Sequence, residues 1–103
     1  MKLRINHSSI RIRLGKQDIQ ELKEHGSVRN ELIFPGGEKL TYKLEIGGSF
    51  HASLDTNHLI VTIPKDESDD WLNSEKLAIE TKLERNEGDE LILLVEKDLH
   101  DLQ

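Results

Sequence analysis

Along residues 2–14, apolar and polar positions alternate on two short arms, KLRIN and SIRIRL, around His7-Ser8. Strict alternation marks a half-buried strand, because successive side chains point to opposite faces. With His7-Ser8 as a two-residue turn, Leu3 falls opposite Ile12 and Ile5 opposite Ile10 on one face. Lys2 then falls opposite Arg13, and Arg4 opposite Arg11, on the other. A slip of one residue would mix the two sets, so the pattern selects this register. His-Ser is a poor type I′ turn sequence, which leaves a longer loop open.

Gly15 ends the alternation, and residues 16–25 change to helical spacing with Ile19 and Leu22 on one stripe. Gly15 suits the N-cap, Asp18 the first turn, Lys23 and His25 the last turn, and Gly26 the C′ position. From residue 28 to 63 alternation returns and predicts a four-strand antiparallel meander. Setting Phe34 opposite Leu40 across PGGEK pairs Leu32 with Tyr42 and Val28 with Ile46. A three-residue loop at 47–49 sets Ile46 opposite Phe50, Leu44 opposite Ala52 and Tyr42 opposite Leu54. A four-residue loop DTNH, residues 55–58, sets Leu54 opposite Leu59, Ala52 opposite Val61 and Phe50 opposite Ile63. The three hairpins agree on one buried face.

Pro64 stops the meander, and residues 66–73 predict a second short helix with Trp71 and Leu72 facing inward. Residues 77–85 and 89–97 then form a hairpin around Asn86-Glu87-Gly88, with Leu83 opposite Leu91, Thr81 opposite Leu93 and Ile79 opposite Val95. Ile92 and Leu94 lie on the other face, so a cover is expected there, a helix by preference. Residues 98–103 are expected to fray. The order ββ-α-ββββ-α-ββ predicts one α+β domain over 1–103, a mainly antiparallel sheet with two short helices and a curl toward a barrel as one outcome. No convincing sequence repeat accompanies it.

Composition changes the picture in three ways. The net charge of −6 disfavours a nucleic-acid binder, whose affinity comes largely from phosphate neutralisation. The absence of cysteine excludes disulfides and thiolate metal sites. No apolar run reaches the roughly 18 residues of a membrane span, and MKLRINHSS has no apolar leader segment, so a cytoplasmic protein without a membrane is expected. Charged residues make up 33% of the chain, but the regular apolar spacing points to a folded domain, not to disorder.

The candidate chemistry centres on Lys2, Arg4, Arg11 and Arg13. Like charges directly opposite on a sheet are destabilising, and this hairpin sets them opposite twice. One compensation is an anionic ligand, for which the planar arginine fork is suited. Another is internal: Glu80, Glu84, Glu90 and Glu96 share the non-core face of the last hairpin, and they meet the cations if the terminal hairpins are neighbours. A third is that the side chains splay into solvent. His7, His25, His51, His58 and His100 show no metal-ligand spacing. Asp66, Ser68 and Asp70 start like a calcium loop, but Trp71 and Leu77 stand where glycine and glutamate are required. Gly36-Gly37 and Gly47-Gly48 are turn glycines outside any phosphate-binding pattern. Trp71 reads as an anchor for its helix.

The opening K-L-R-I-N-x-S-S-I-R-I-R-L, the piece L-T-Y-x-L and the late L-L-V-E-K-D resemble a small family of uncharacterised bacterial proteins, frequent in Bacteroidetes. That resemblance covers most of the chain and implies no activity, so it transfers no site residue. Inward-pointing basic residues on a curled sheet are similar in shape to tunnel-type triphosphate-processing enzymes. Those open on E-x-E-x-K, whereas K-L-R-I-N stands here.

Three functions follow as expectations. The first is a non-catalytic module that binds a small anion or an acidic protein partner through Lys2, Arg4, Arg11 and Arg13, with no cofactor and no metal. The second is a small enzyme acting on a phosphorylated or polyanionic substrate, in which Glu80 and Glu96 hold Mg²⁺. The third is a structural protein that forms a homodimer through an exposed edge strand.

Overall fold

The alternation over the first residues folds as its pattern predicts. In the computed structural model, which describes residues 1–102 with side chains through His100, β1 (Lys2–Asn6) and β2 (Ser9–Leu14) form a hairpin around His7-Ser8. Its register pairs Lys2 with Arg13, Leu3 with Ile12, Arg4 with Arg11 and Ile5 with Ile10. The Oδ1 of Asn6 accepts the Ser8 N–H at 2.9 Å and closes the turn. Helix α1 (Lys16–His25) follows at once. The Gly15 N–H donates to Asp18 Oδ2 at 2.9 Å, and Gly26, at φ 75°, ends the helix in the left-handed conformation that glycine adopts without strain.

The remaining strands are β3 (Ser27–Ile33), β4 (Lys39–Gly47), β5 (His51–Asp55), β6 (His58–Pro64), β7 (Ala78–Glu84) and β8 (Glu90–Lys97). Helix α2 (Lys65–Leu72) lies between β6 and β7, and a single turn, α3 (Leu99–Leu102), follows β8. The fold is α+β, in the expected order of elements. The strands form two four-stranded sheets, β1-β2-β8-β7 and β3-β4-β6-β5, and neither closes into a barrel.

The four-strand meander is not what forms. The strand β4 runs parallel to β6 and does not pair with β5, so Ile46 is opposite Ile63, not Phe50, and Leu44 is opposite Val61, not Ala52. This order places β6, with buried Leu59, Val61 and Ile63, between two strands, and it leaves the more polar β5 at an edge. The β3–β4 register is also two residues from the expected one. Leu32 pairs with Leu40, and Val28 with Leu44. The loop closes at Phe34 and Glu38, whose backbone bond is 2.8 Å, because Gly37 at φ 93° permits a tighter turn than PGGEK suggested. The expected four-residue loop DTNH is a two-residue turn, Thr56-Asn57. Asp55 pairs with His58 around Thr56 and Asn57, both at positive φ, while Leu54–Leu59 and Ala52–Val61 pair as expected. The last hairpin keeps its expected register: Ile79–Val95, Thr81–Leu93, Leu83–Leu91.

Two sheets of one pattern reveal a duplication that the sequence pattern did not. The units β1-β2-α1-β3-β4 and β5-β6-α2-β7-β8 have the same architecture, and each sheet takes the first hairpin of one unit and the second hairpin of the other. The parallel ladders correspond, Ser9 with Ile92 in one sheet and His58 with Thr41 in the other. So do the bonds that begin them, Ile92 N–H to Ser8 O and Thr41 N–H to Asn57 O, both 2.9 Å. Gly37 and Gly88 occupy matching turn positions with positive φ.

One core cluster joins both sheets and both long helices, with Leu14, Leu22, Leu44, Val61, Ile63 and Trp71 at its centre. The crossing from β4 to β5 depends on Gly47. A Cβ at that position would lie 2.6 Å from Thr62 Cγ2, whereas one at Gly48 would meet nothing within 4 Å. Gly47→Ala is expected to cost about 1–3 kcal/mol, with Gly48→Ala near neutral. Equal urea midpoints for the two variants would overturn this account of the crossing. The chain end begins with a buried residue, Asp98, and continues into α3; of the segment expected to fray, Gln103 lies outside the described residues. No helix among the described residues is long and apolar enough to cross a membrane.

Candidate functional site

The parallel pairing of β2 with β8 brings the terminal hairpins side by side, and this builds the site. On the outer face of the sheet, Lys2, Arg13, Glu96 and Ala78 form one row across the four strands. The next row is Arg4, Arg11, Leu94 and Glu80. All four predicted cations therefore stand together on β1 and β2. They surround a shallow groove of about 320 Å³ that also touches Leu3.

Of the four acids expected to face them, one does. Glu96 Oε1 accepts from Arg11 Nε at 2.7 Å and from Arg13 Nε at 2.5 Å. Glu80, Glu84 and Glu90 make no ion pair with the cations. The second acid is Asp98, whose Oδ2 takes Lys2 Nζ at 3.0 Å. The sequence pattern does not single out Asp98, because it falls in the segment expected to fray. Continuing the β8 alternation two residues past Glu96 would have found it on the same face.

Both arginines spend Nε on Glu96, and their terminal Nη groups have no partner among the described residues. Arg4 has no ion pair or hydrogen bond among the described side chains and is exposed. Burial pushes the Glu96 carboxyl up, but the hydrogen bonds from Arg11 and Arg13 more than offset it and hold the group below its usual range. Glu96 thus stays ionised and orients two guanidinium forks. Among the described residues, two acids pair with the four cations, so the β1–β2 part of the outer face is positive within a chain of net charge −6.

The duplication supplies an internal comparison. Where the first sheet has Lys2, Arg4, Arg11 and Arg13, the matching hairpin has His51, Ser53, Ile60 and Thr62, paired in the same way. Glu96 corresponds to Glu45, which faces Thr62 across the parallel ladder and lies 3.7 Å from Lys43. The backbone architecture therefore forms without these cations.

The Mg²⁺ arrangement at Glu80 and Glu96 would require Glu96 to release both arginines. Among the described residues no group of three or more histidines, aspartates and glutamates converges. Ile92 and Leu94 are not covered by a helix. They are half-buried on the outer face among their row neighbours, Leu94 between Arg11 and Glu80 and Ile92 between Ser9 and Lys82, where long polar side chains shield apolar surface with their stems. The Arg85 guanidinium clips the two hairpin ends together, donating to His7 O and pairing with Asp89 at 2.9 Å.

The model of a family of unknown function, DUF7009, matches residues 1–103. No curated protein and no solved structure matches the chain.

Proposed function

We propose that this chain, which belongs to DUF7009, is a cytoplasmic, non-catalytic binding module whose ligand is an anion held on the outer face of β1 and β2. Arg4, Arg11 and Arg13 are the contacts, Lys2 adds charge at the rim, and Glu96 positions two of the forks. One observation carries this reading: the duplicated sheet keeps the same backbone with His51, Ser53, Ile60 and Thr62 in place of the cations. Clustering four like charges costs stability, and the fold does not demand it. Arginine forks fixed by a carboxylate and open at their ends suit bidentate contact with an oxyanion.

The test is a thermal-shift series with phosphate, pyrophosphate and a nucleoside triphosphate, each against chloride at matched ionic strength. A ligand at a hundred times its dissociation constant adds about 2.7 kcal/mol, a rise of roughly 10 °C or more for a chain of this size. Arg4→Ala is expected to reduce that rise and Arg4→Ala/Arg11→Ala to abolish it. The reading fails if chloride produces the same shift, or if the double variant responds like the wild type.

A further inference from the structure

The cationic groove adjoins an open sheet edge. β1 pairs with β2 on one side and, among the described residues, has no strand on the other. Lys2 and Arg4 point outward from this edge, while Leu3 and Ile5 point inward. Ile5 is 57% exposed although Ile10, its partner across the ladder, is 7% exposed. The apolar face therefore stops one strand short of covering its own rim.

A fifth strand laid along β1 would place alternate side chains opposite Lys2 and Arg4 on the outside and opposite Leu3 and Ile5 on the inside. Alternating acidic and apolar residues satisfy both sides. A second copy of β1 does not, because antiparallel self-pairing sets cations against cations. The matching edge of the other sheet, β5, shows which feature is particular to β1. Leu54, which corresponds to Ile5, is 71% exposed, so apolar exposure recurs at both edges. The outer positions of β5 are His51, Ser53 and Asp55, so the cations do not recur. Charge is the selective element.

We infer that β1 is an acceptor edge for an extended segment of a partner protein in which acidic and apolar residues alternate, added as a fifth strand of the sheet. This rests on the anion-binding reading and names the partner of the same face. Main-chain hydrogen bonds along the free edge supply affinity, and Arg4, which has no ion pair among the described residues, supplies specificity.

The test uses the full chain and a fluorescent, capped peptide that alternates Glu and Val over a length sufficient to span β1. A block peptide of the same composition keeps the charge but loses the alternation. A version N-methylated at alternate residues keeps the side chains but loses the edge hydrogen bonds. The alternating peptide is expected to bind roughly tenfold or more tightly than either, and to weaken by roughly tenfold or more on Arg4→Glu. Ser53→Glu, at the matching place on β5, should leave binding unchanged, and thermal melts confirm that both variants fold. Equal binding of all three peptides overturns strand addition and leaves the anion-binding face standing. So does the absence of peptide binding when phosphate still raises the melting temperature. If neither peptide nor phosphate acts, both readings fall.

Discussion

Trp71→Ala is expected to lower the unfolding free energy by about 4 kcal/mol, a fall of roughly 15–30 °C in melting temperature for a chain this short. Trp71 is fully buried on α2, a helix of 8 residues. So short a helix has little stability of its own and is held by what it packs against. Trp71 corresponds in the duplicated unit to Leu22 of α1, which is also fully buried. The indole fills its site at a cost: Nε1 is buried without a hydrogen-bond partner. The polar contact nearby is Lys97, whose Nζ lies 6.0 Å from the ring centroid and donates to Ser74 O at 2.8 Å. Trp71→Phe is therefore expected to cost well under half as much as the alanine change. It gives up volume but removes an unpaired donor whose burial costs about 1–3 kcal/mol. Denaturant melts followed by circular dichroism separate the two variants. Equal losses for Phe and Ala would mean that the indole N–H is satisfied and that its bond, not the ring volume, holds α2 in place.

The sheet registers show how far alternation can be read and where it stops. At β1–β2 and β7–β8 the pattern predicted every apolar pair, because one short turn joins each pair of arms and a one-residue slip would bury charge. Between residues 28 and 63 the same reasoning assigns the correct faces and the β5–β6 pairs, but it sets β3 and β4 two residues out of register and places β4 beside the wrong strand. A period of two is blind to a shift of two residues, as at Leu32 and Leu40, and equally blind to which strand lies alongside. Nothing in HASLD or HLIVTIP states that the second strand crosses to the centre. That choice belongs to the whole core, which gains more by enclosing Leu59, Val61 and Ile63 than by enclosing β5.

The duplication was illegible for a related reason. The two units share a pattern of burial and turns but few residue identities: Gly37 matches Gly88 and Glu45 matches Glu96, whereas Gly15 matches Pro64, Leu22 matches Trp71, and Arg11 matches Ile60. The candidate site was half legible. Its cations follow from one hairpin, which is local. Its acids follow from the β2–β8 pairing, which joins the two ends of the chain. A sequence can list Glu80, Glu84, Glu90 and Glu96 as equals, but the register alone picks out Glu96.

Glu96→Gln is the variant in which stability and binding meet. Both arginines donate to one oxygen of this carboxylate, and charged hydrogen bonds of this kind contribute about 1.5–3 kcal/mol each when partly buried. The glutamine still accepts but carries no charge, and it leaves Arg11 and Arg13 side by side on β2, opposite Arg4 and Lys2. A loss of about 2 kcal/mol is expected at low ionic strength, shrinking as salt screens the repulsion. The pH dependence has a definite sign. Glu96 is held below its usual pKa, so the folded protein binds fewer protons at this group than the unfolded chain. Its contribution is complete above the unfolded carboxylate value, about 4.3, and is lost as pH falls through the lower folded value. The gap between wild type and variant should be constant near neutrality and close in acid. Phosphate then separates the two roles of the cluster. If the arginines are a binding site, phosphate takes the place of the missing charge and restores part of the lost stability at constant ionic strength. If they serve only to pair with Glu96, phosphate and chloride act alike on the variant, and the anion-binding reading falls with that result.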